Sequence, residues 1–234
     1  YIVKNFNAMP PIRLNCVQIM SKNHVENNRI FDTTVVDCDI HLGVSADQVA
    51  DYLESPHSET VRDKSPLVTS HWDQRIGGKI ERQYARTPAE VRRNLCERFG
   101  VDYPILNTFA KIAVLPQPDL AVNMMSAYND ILIEEFLDGY DEFVGCVTIA
   151  TQRPEEAAAE INRLGDEDQI VGVFLLTTGV HPPLGNPKYD PIYRAAEDHD
   201  LPIIYHAAAG SCFKYGFPIQ DRSFEKFLPV HTLT

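Results

Sequence analysis

Apolar positions along the chain fall into five short runs, separated by stretches with helical spacing. The first run, Val35-Val36, leads into Asp37-Cys38-Asp39-Ile40-His41, a β-branched start that passes into an acid-x-acid-x-His alternation. Residues 34–39 are the first predicted strand, and period-2 geometry puts Asp37, Asp39 and His41 on one face of it or of its immediate extension. Ile105 and Leu106 mark a second strand over 103–109. Phe143 to Ala150 and Ile170 to Leu176 are near-continuous apolar runs, the pattern of parallel strands buried on both faces. The fifth run, Leu201 to His206, again closes on a histidine. Ala207-Ala208-Ala209-Gly210 follow it, small residues that let a ligand approach closely.

Helices are predicted between the strands. Ser45 caps a short one reaching Leu53. Thr87-Pro88-Ala89-Glu90 carries the capping-box pattern with proline at the first helical position, which predicts a helix from Pro88 to about Arg98 that stops at Gly100. In Pro118 to Asp138, Leu120, Met124, Ala127, Tyr128, Ile131 and Glu135 recur at the helical period, and Gly139 ends the helix. A further helix runs from Pro154 to Leu164 behind a boundary at Thr151 or Gln152. Asp190-Pro191 opens the last, with the aspartate as cap, and it continues to about His199. Tyr128 and Asn129 are assigned to internal hydrogen bonding, and Tyr205 to packing toward the helices. Residues 1–33 contain Met9-Pro10-Pro11 and read as an irregular N-terminal arm. Residues 34–234 form one domain, with an insertion or excursion at about 54–100 that is polar and broken by Pro56, Pro66 and Gly77-Gly78.

Strands alternating with helices over short connections predict a parallel α/β sheet. No Gly-x-Gly-x-x-Gly follows any strand, and Gly77-Gly78-Lys79 lacks the strand and spacing of a phosphate loop, so the dinucleotide-binding open sheet has no support. A (β/α)8 TIM barrel gathers polar residues from the C-terminal ends of separate strands at one mouth. Asp39, His41 and His206 are placed that way. The predicted fold is therefore the barrel, with about its first five strands in this chain. Its 234 residues fall short of the roughly 250 a barrel typically needs, so strands six to eight are expected outside them.

Composition narrows the partners. The formal net charge of −12 disfavours attraction to nucleic acid or anionic lipid, and neither partner is expected. The five cysteines, Cys16, Cys38, Cys96, Cys146 and Cys212, are widely spaced with no Cys-x-x-Cys, unlike a disulfide framework or a zinc knuckle. Cys38 and Cys146 read as small buried hydrophobes. With no long apolar run and no signal-peptide pattern, a cytoplasmic location is expected.

The chemistry sits at the strand ends. A carboxylate and an imidazole two residues apart, with a histidine from a distant strand, can share one divalent metal. Asp37 is assigned to capping nearby backbone N–H groups. Asn107 at the end of the second strand, Thr178 and His181 after the fourth, and Trp72 on the excursion are candidates to contact a small-molecule substrate.

Val36-Asp37-Cys38-Asp39-Ile40-His41, Ala127-Tyr128-Asn129-Asp130, Arg153-Pro154-Glu155-Glu156-Ala157, Gly172-Val173, Asp190-Pro191-Ile192-Tyr193 and Leu201 to His206 together resemble the amidohydrolase-related family. That family includes aminocarboxymuconate-semialdehyde decarboxylase and the aromatic-acid decarboxylases, and the likeness runs from about residue 34 to 212. It implies a barrel of the metal-dependent hydrolase type with one divalent ion at the mouth, zinc ahead of manganese or magnesium. Asp39 and His41 fall on the first-strand ligands and His206 on the fifth-strand ligand. A sixth-strand histidine and an eighth-strand aspartate have no counterpart here, and His231 does not fill the former role. The implied activity is nonoxidative decarboxylation of a small aromatic or unsaturated acid. The alternatives are metal-dependent hydrolysis of a lactone, ester or amide, and a non-catalytic binding barrel. Paired subunits are implied as well, with the aromatic segment 213–228 able to feed the interface.

Overall fold

The computed structural model describes residues 34–63, 86–108, 112, 115–176, 180 and 182–206. Five strands form one parallel sheet in chain order: β1 (Val36–His41), β2 (Tyr103–Asn107), β3 (Val144–Thr148), β4 (Ile170–Leu176) and β5 (Ile203–His206). The helices are α1 (Ala46–Asp51), α2 (His57–Asp63), α3 (from Pro88 through Glu97), α4 (from Pro118 through Leu137), α5 (Pro154–Leu164) and α6 (Asp190–Asp198). None of the described helices is long and apolar enough to cross a membrane.

Proline opens α3, α4 and α5. Its fixed φ suits the first turn, and its missing N–H would have had no helical partner there. Glycine follows all three, and Gly100 and Gly139, after α3 and α4, take φ of 69° and 76°, the left-handed region open to a residue without Cβ. Both α3 and α4 end in widened turns, Arg92–Glu97 and Leu132–Leu137, where the periodicity had predicted plain α-helix.

Several caps differ in detail from expectation. Thr87 accepts from the Glu90 N–H as predicted, but the Glu90 carboxylate reaches back to the Arg86 N–H instead of that of Thr87. Arg153, not Thr151 or Gln152, precedes α5, and it offers no side-chain cap. Asp190 lies inside the first turn of α6, behind Tyr189. A short turn, Pro187–Tyr189, already sets the chain helical before it, so the aspartate acts on the N-terminal dipole instead.

The main core lies between the sheet and its helices. Ile40, Leu106, Val147, Val173 and Leu175 meet Met124, Ile131, Leu132, Phe136, Ile161 and Ile192 there. A smaller cluster of Cys146, Phe174 and Leu176 lies apart from it, with Ile105, Val171 and Ile204 packed alongside. Cys146 is buried as expected, and burial pushes its thiol up to about 12. Cys38 is exposed among the described residues, within the local irregularity of β1. Tyr205 of β5 stands beside the Tyr193 phenol of α6 but stays 57% exposed among them. Tyr128 is buried with its hydroxyl unpartnered among the described residues, so only Asn129 makes the expected internal bonds.

The sheet is curled. Strands about 4.8 Å apart in a flat five-stranded sheet would separate the two edge strands by roughly 19 Å. Yet the His206 Nε2 of β5 lies 3.1 Å from the Asp39 Oδ1 of β1. The five strands are thus an arc of a (β/α)8 barrel, and the curl brings the C-terminal ends of its edges together.

Candidate metal centre

Each of the three strand-end residues is delivered by its own strand. β1 pairs with β2 through Val36↔Tyr103 and Asp37↔Pro104, then through Ile40↔Leu106 and His41↔Asn107. Three residues advance on β1 while two advance on β2, so one extra residue is inserted between Asp37 and Ile40. This bulge interrupts the alternation expected for Asp37, Asp39 and His41, and it separates the first aspartate from the other two. Proline within a sheet is confined to edges and bulges because it lacks a ladder donor, and Pro104 stands opposite this bulge. On the other edge, β5 pairs with β4 in unbroken register, ending Leu176↔His206.

Asp39, His41 and His206 converge. The Nε2 atoms of His41 and His206 lie 3.2 Å and 3.1 Å from the same carboxylate oxygen, Asp39 Oδ1. The two imidazole rings are edge to face at 5.1 Å between centroids. One ligand atom from each residue falls within 4.8 Å of the others. His206 is well covered, His41 less so, and Asp39 is more than half exposed. Partial burial pushes the Asp39 carboxyl up. Hydrogen bonds from His206 and His41, with the charge on both rings, outweigh that and hold it well below the usual carboxylate range. An oxygen donor and two nitrogen donors at this spacing fit one divalent ion, and the carboxylate admits manganese and magnesium as readily as zinc.

Phe174 of β4 forms the apolar wall of this cluster. Its ring lies 5.2 Å from that of His206 and 6.4 Å from that of His41. Sequence reasoning missed it, because its place near His206 shows only in the pairing of Phe174 with Ile204. The paired hydroxyls of Thr108 and Thr148, buried just past β2 and at the end of β3, were also missed.

Of the proposed substrate contacts, Asn107 is fully buried at the end of β2 beside His41. Its Nδ2 donates to Cys38 O at 3.0 Å and to Ile105 O at 3.3 Å, while Oδ1 has no partner among the described residues. Trp72, Thr178 and His181 lie outside the described residues.

The chain matches the family model for amidohydrolases over residues 36–231. It belongs to the amidohydrolase family. Among curated relatives, a gamma-resorcylate decarboxylase of Rhodococcus jostii is 26% identical over 159 residues, covering 63% of this chain and 46% of the relative. Among solved structures, 5-carboxyvanillate decarboxylase of Novosphingobium aromaticivorans, crystallised with manganese and a nitrobenzoic acid, superposes with a TM-score of 0.58 at 22% identity. That match covers 76% of this chain and 51% of the other. A 2,6-dihydroxybenzoate decarboxylase from Rhizobium gives a TM-score of 0.54 at 18% identity, over 83% of this chain and 54% of the other. The chain spans about half the length of the relatives it matches.

Proposed function

We propose that this protein is a metal-dependent nonoxidative decarboxylase, a carbon–carbon lyase acting on a small aromatic carboxylic acid. The observation that carries this reading is the convergence of Asp39, His41 and His206 at the mouth of the arc. Their proposed role is to hold one divalent ion. Manganese moves ahead of zinc, because the donor set includes a carboxylate and the 5-carboxyvanillate decarboxylase relative holds manganese. When bound, the ion supplies positive charge against the substrate's carboxylate or an adjacent hydroxyl as the C–C bond breaks.

The chain's own residues account for the rest of the half-site. With an ion bound, Asp39 would offset part of its charge, and His41 and His206, deprotonated as ligands must be, would leave a net positive centre suited to an anionic substrate. Phe174, buried against both imidazole rings, backs the cluster with the neighbouring Leu176 and Cys146 as an apolar layer. No acid that protonates the product carbon is assigned among the described residues. A cytoplasmic homodimer belongs to the same proposal.

The test offers manganese-loaded full-length protein a panel of hydroxybenzoates beside a panel of lactones and esters. Carbon dioxide release that disappears in His206→Ala is the expected result. Metal-dependent ester or lactone turnover with no carbon dioxide would replace the lyase by a hydrolase. No turnover of either panel, with metal bound, would favour a binding barrel.

A further inference from the structure

The bulge in β1 takes one peptide group out of the ladder, the one joining Cys38 to Asp39. Its two polar ends are held by side chains from opposite directions. The carbonyl oxygen of Cys38 accepts from Asn107 Nδ2 at 3.0 Å. The N–H of Asp39 donates to Asp37 Oδ1 at 3.1 Å. The ladder resumes immediately afterwards, with Ile40↔Leu106, His41↔Asn107 and the Leu42 N–H donating to Asn107 O at 2.9 Å. Asn107 is fully buried, and its second Nδ2 bond, to Ile105 O, fixes the amide plane to its own strand.

We propose that Asn107 and Asp37 are positioning residues for Asp39, clamping the Cys38–Asp39 peptide so that the carboxylate meets both histidines; this rests on the reading of Asp39, His41 and His206 as metal ligands. The physical argument is local. A residue at a bulge has lost the ladder bonds that fix its backbone, and its side chain inherits that freedom. Asp39 is the most exposed of the three metal candidates, so packing among the described residues does not aim it. Two hydrogen bonds on the peptide plane directly before its Cα do. The bulge thereby re-aims Asp39 while both ends of that peptide stay hydrogen-bonded.

The experiment measures manganese affinity in the full-length protein by competition with a chelating dye, which needs no turnover. Asn107→Asp keeps the shape and the oxygen but removes the donor. Asp37→Ala removes the acceptor, whereas Asp37→Asn keeps an acceptor and drops the charge. Asn107→Asp and Asp37→Ala are expected to weaken manganese binding by about 10- to 100-fold, the range for groups that orient a metal ligand. Asp37→Asn is expected to restore most of the loss. Gln169→Ala serves as the control, since Gln169 Nε2 likewise satisfies backbone carbonyls, those of Tyr140 and Phe143, beside the start of β4. It should lower stability and leave manganese affinity unchanged. Variants that bind manganese like wild type would overturn the clamp while leaving the metal centre standing. Equal losses in Asp37→Ala and Asp37→Asn would also overturn it, because charge and not the hydrogen bond would then be responsible. Wild-type protein without manganese affinity would overturn the metal reading and the clamp together. Should Asn107→Asp fail to fold, the Asp37 pair decides alone.

Discussion

The middle of the sheet and its edges are built on different terms. β3 is buried along its whole length and β4 along nearly all of it, whereas β1 and β5 are mostly open or half-covered. Two buried asparagines mark the contrast. Asn129, on α4 behind β3, uses both ends of its amide: it bonds the N–H and C=O of Thr148 and donates to Glu160 at 2.9 Å. Asn107, beside β1, donates twice and keeps an acceptor oxygen unmatched. Glu160 in turn is ion-paired with Arg163, so the network behind the middle strands is closed. The middle strands hold the arc together. The strands at the two ends of the arc, β1 and β5, carry the groups that converge on a ligand.

That division predicts that stability and metal affinity can be changed separately. Phe136, fully buried in the last turns of α4 where they pack on β3, belongs to the main core. Phe136→Ala should lower unfolding free energy by about 3–5 kcal/mol, the usual range for removing a buried ring. Urea denaturation of the full-length protein measures this. In the fraction that remains folded, manganese affinity should stay within about twofold of wild type, as for independent distant sites. A parallel loss of affinity would break the division.

Gly145 of β3 gives a smaller and sharper version. A Cβ there would lie 2.8 Å from Leu132 Cδ2, so the buried Leu132 side chain would have to shift to admit it. Gly145→Ala should cost about 1–3 kcal/mol through overpacking. The double variant Gly145→Ala/Leu132→Ala should lose less than the sum of the two single losses, since it removes the atoms that clash. If the pair were simply additive in denaturant titrations, the close approach would not be the cause.

The same contrast governs what could be read in the sequence. β4 was legible to the residue, Ile170–Leu176, because a strand buried on both faces writes itself as an unbroken apolar run. Helix starts were legible from proline and helix ends from Gly100 and Gly139, since both residues act through their own backbone. His41 and His206 were legible as strand-end polar residues, and their meeting followed from the barrel expected of the alternation. The bulge was not legible. Pro104 hinted at it, but an extra residue on one strand shows only against its partner's register. For the same reason the alternation put Asp37 with Asp39 and His41, and neither the clamp on Asp39 nor the place of Phe174 could be drawn from β1 or β4 alone.

The smallest expected effect comes from the segment immediately after β1. Ser45 caps α1 in a reciprocal box: its side chain accepts from the Gln48 N–H at 3.2 Å, and the Gln48 side chain accepts from the Ser45 N–H at 3.0 Å. Gln48 Nε2 also donates to Glu135 of α4 at 3.0 Å, tying the helix that follows the mouth to the helix behind β3. Ser45→Ala removes one of these three bonds at an exposed position, so stability should fall by about 1 kcal/mol, and by only a few tenths in Ser45→Gly. Ser45→Asp, an equally good cap, should match wild type. Manganese affinity should be unmoved in all three, because the pairing of His41 with Asn107 lies upstream of the cap and does not depend on it. A drop in affinity that follows the cap ranking, Ala before Gly before Asp, would show that α1 helps to hold the mouth, and the boundary between stability and chemistry would then have to be redrawn beyond His41.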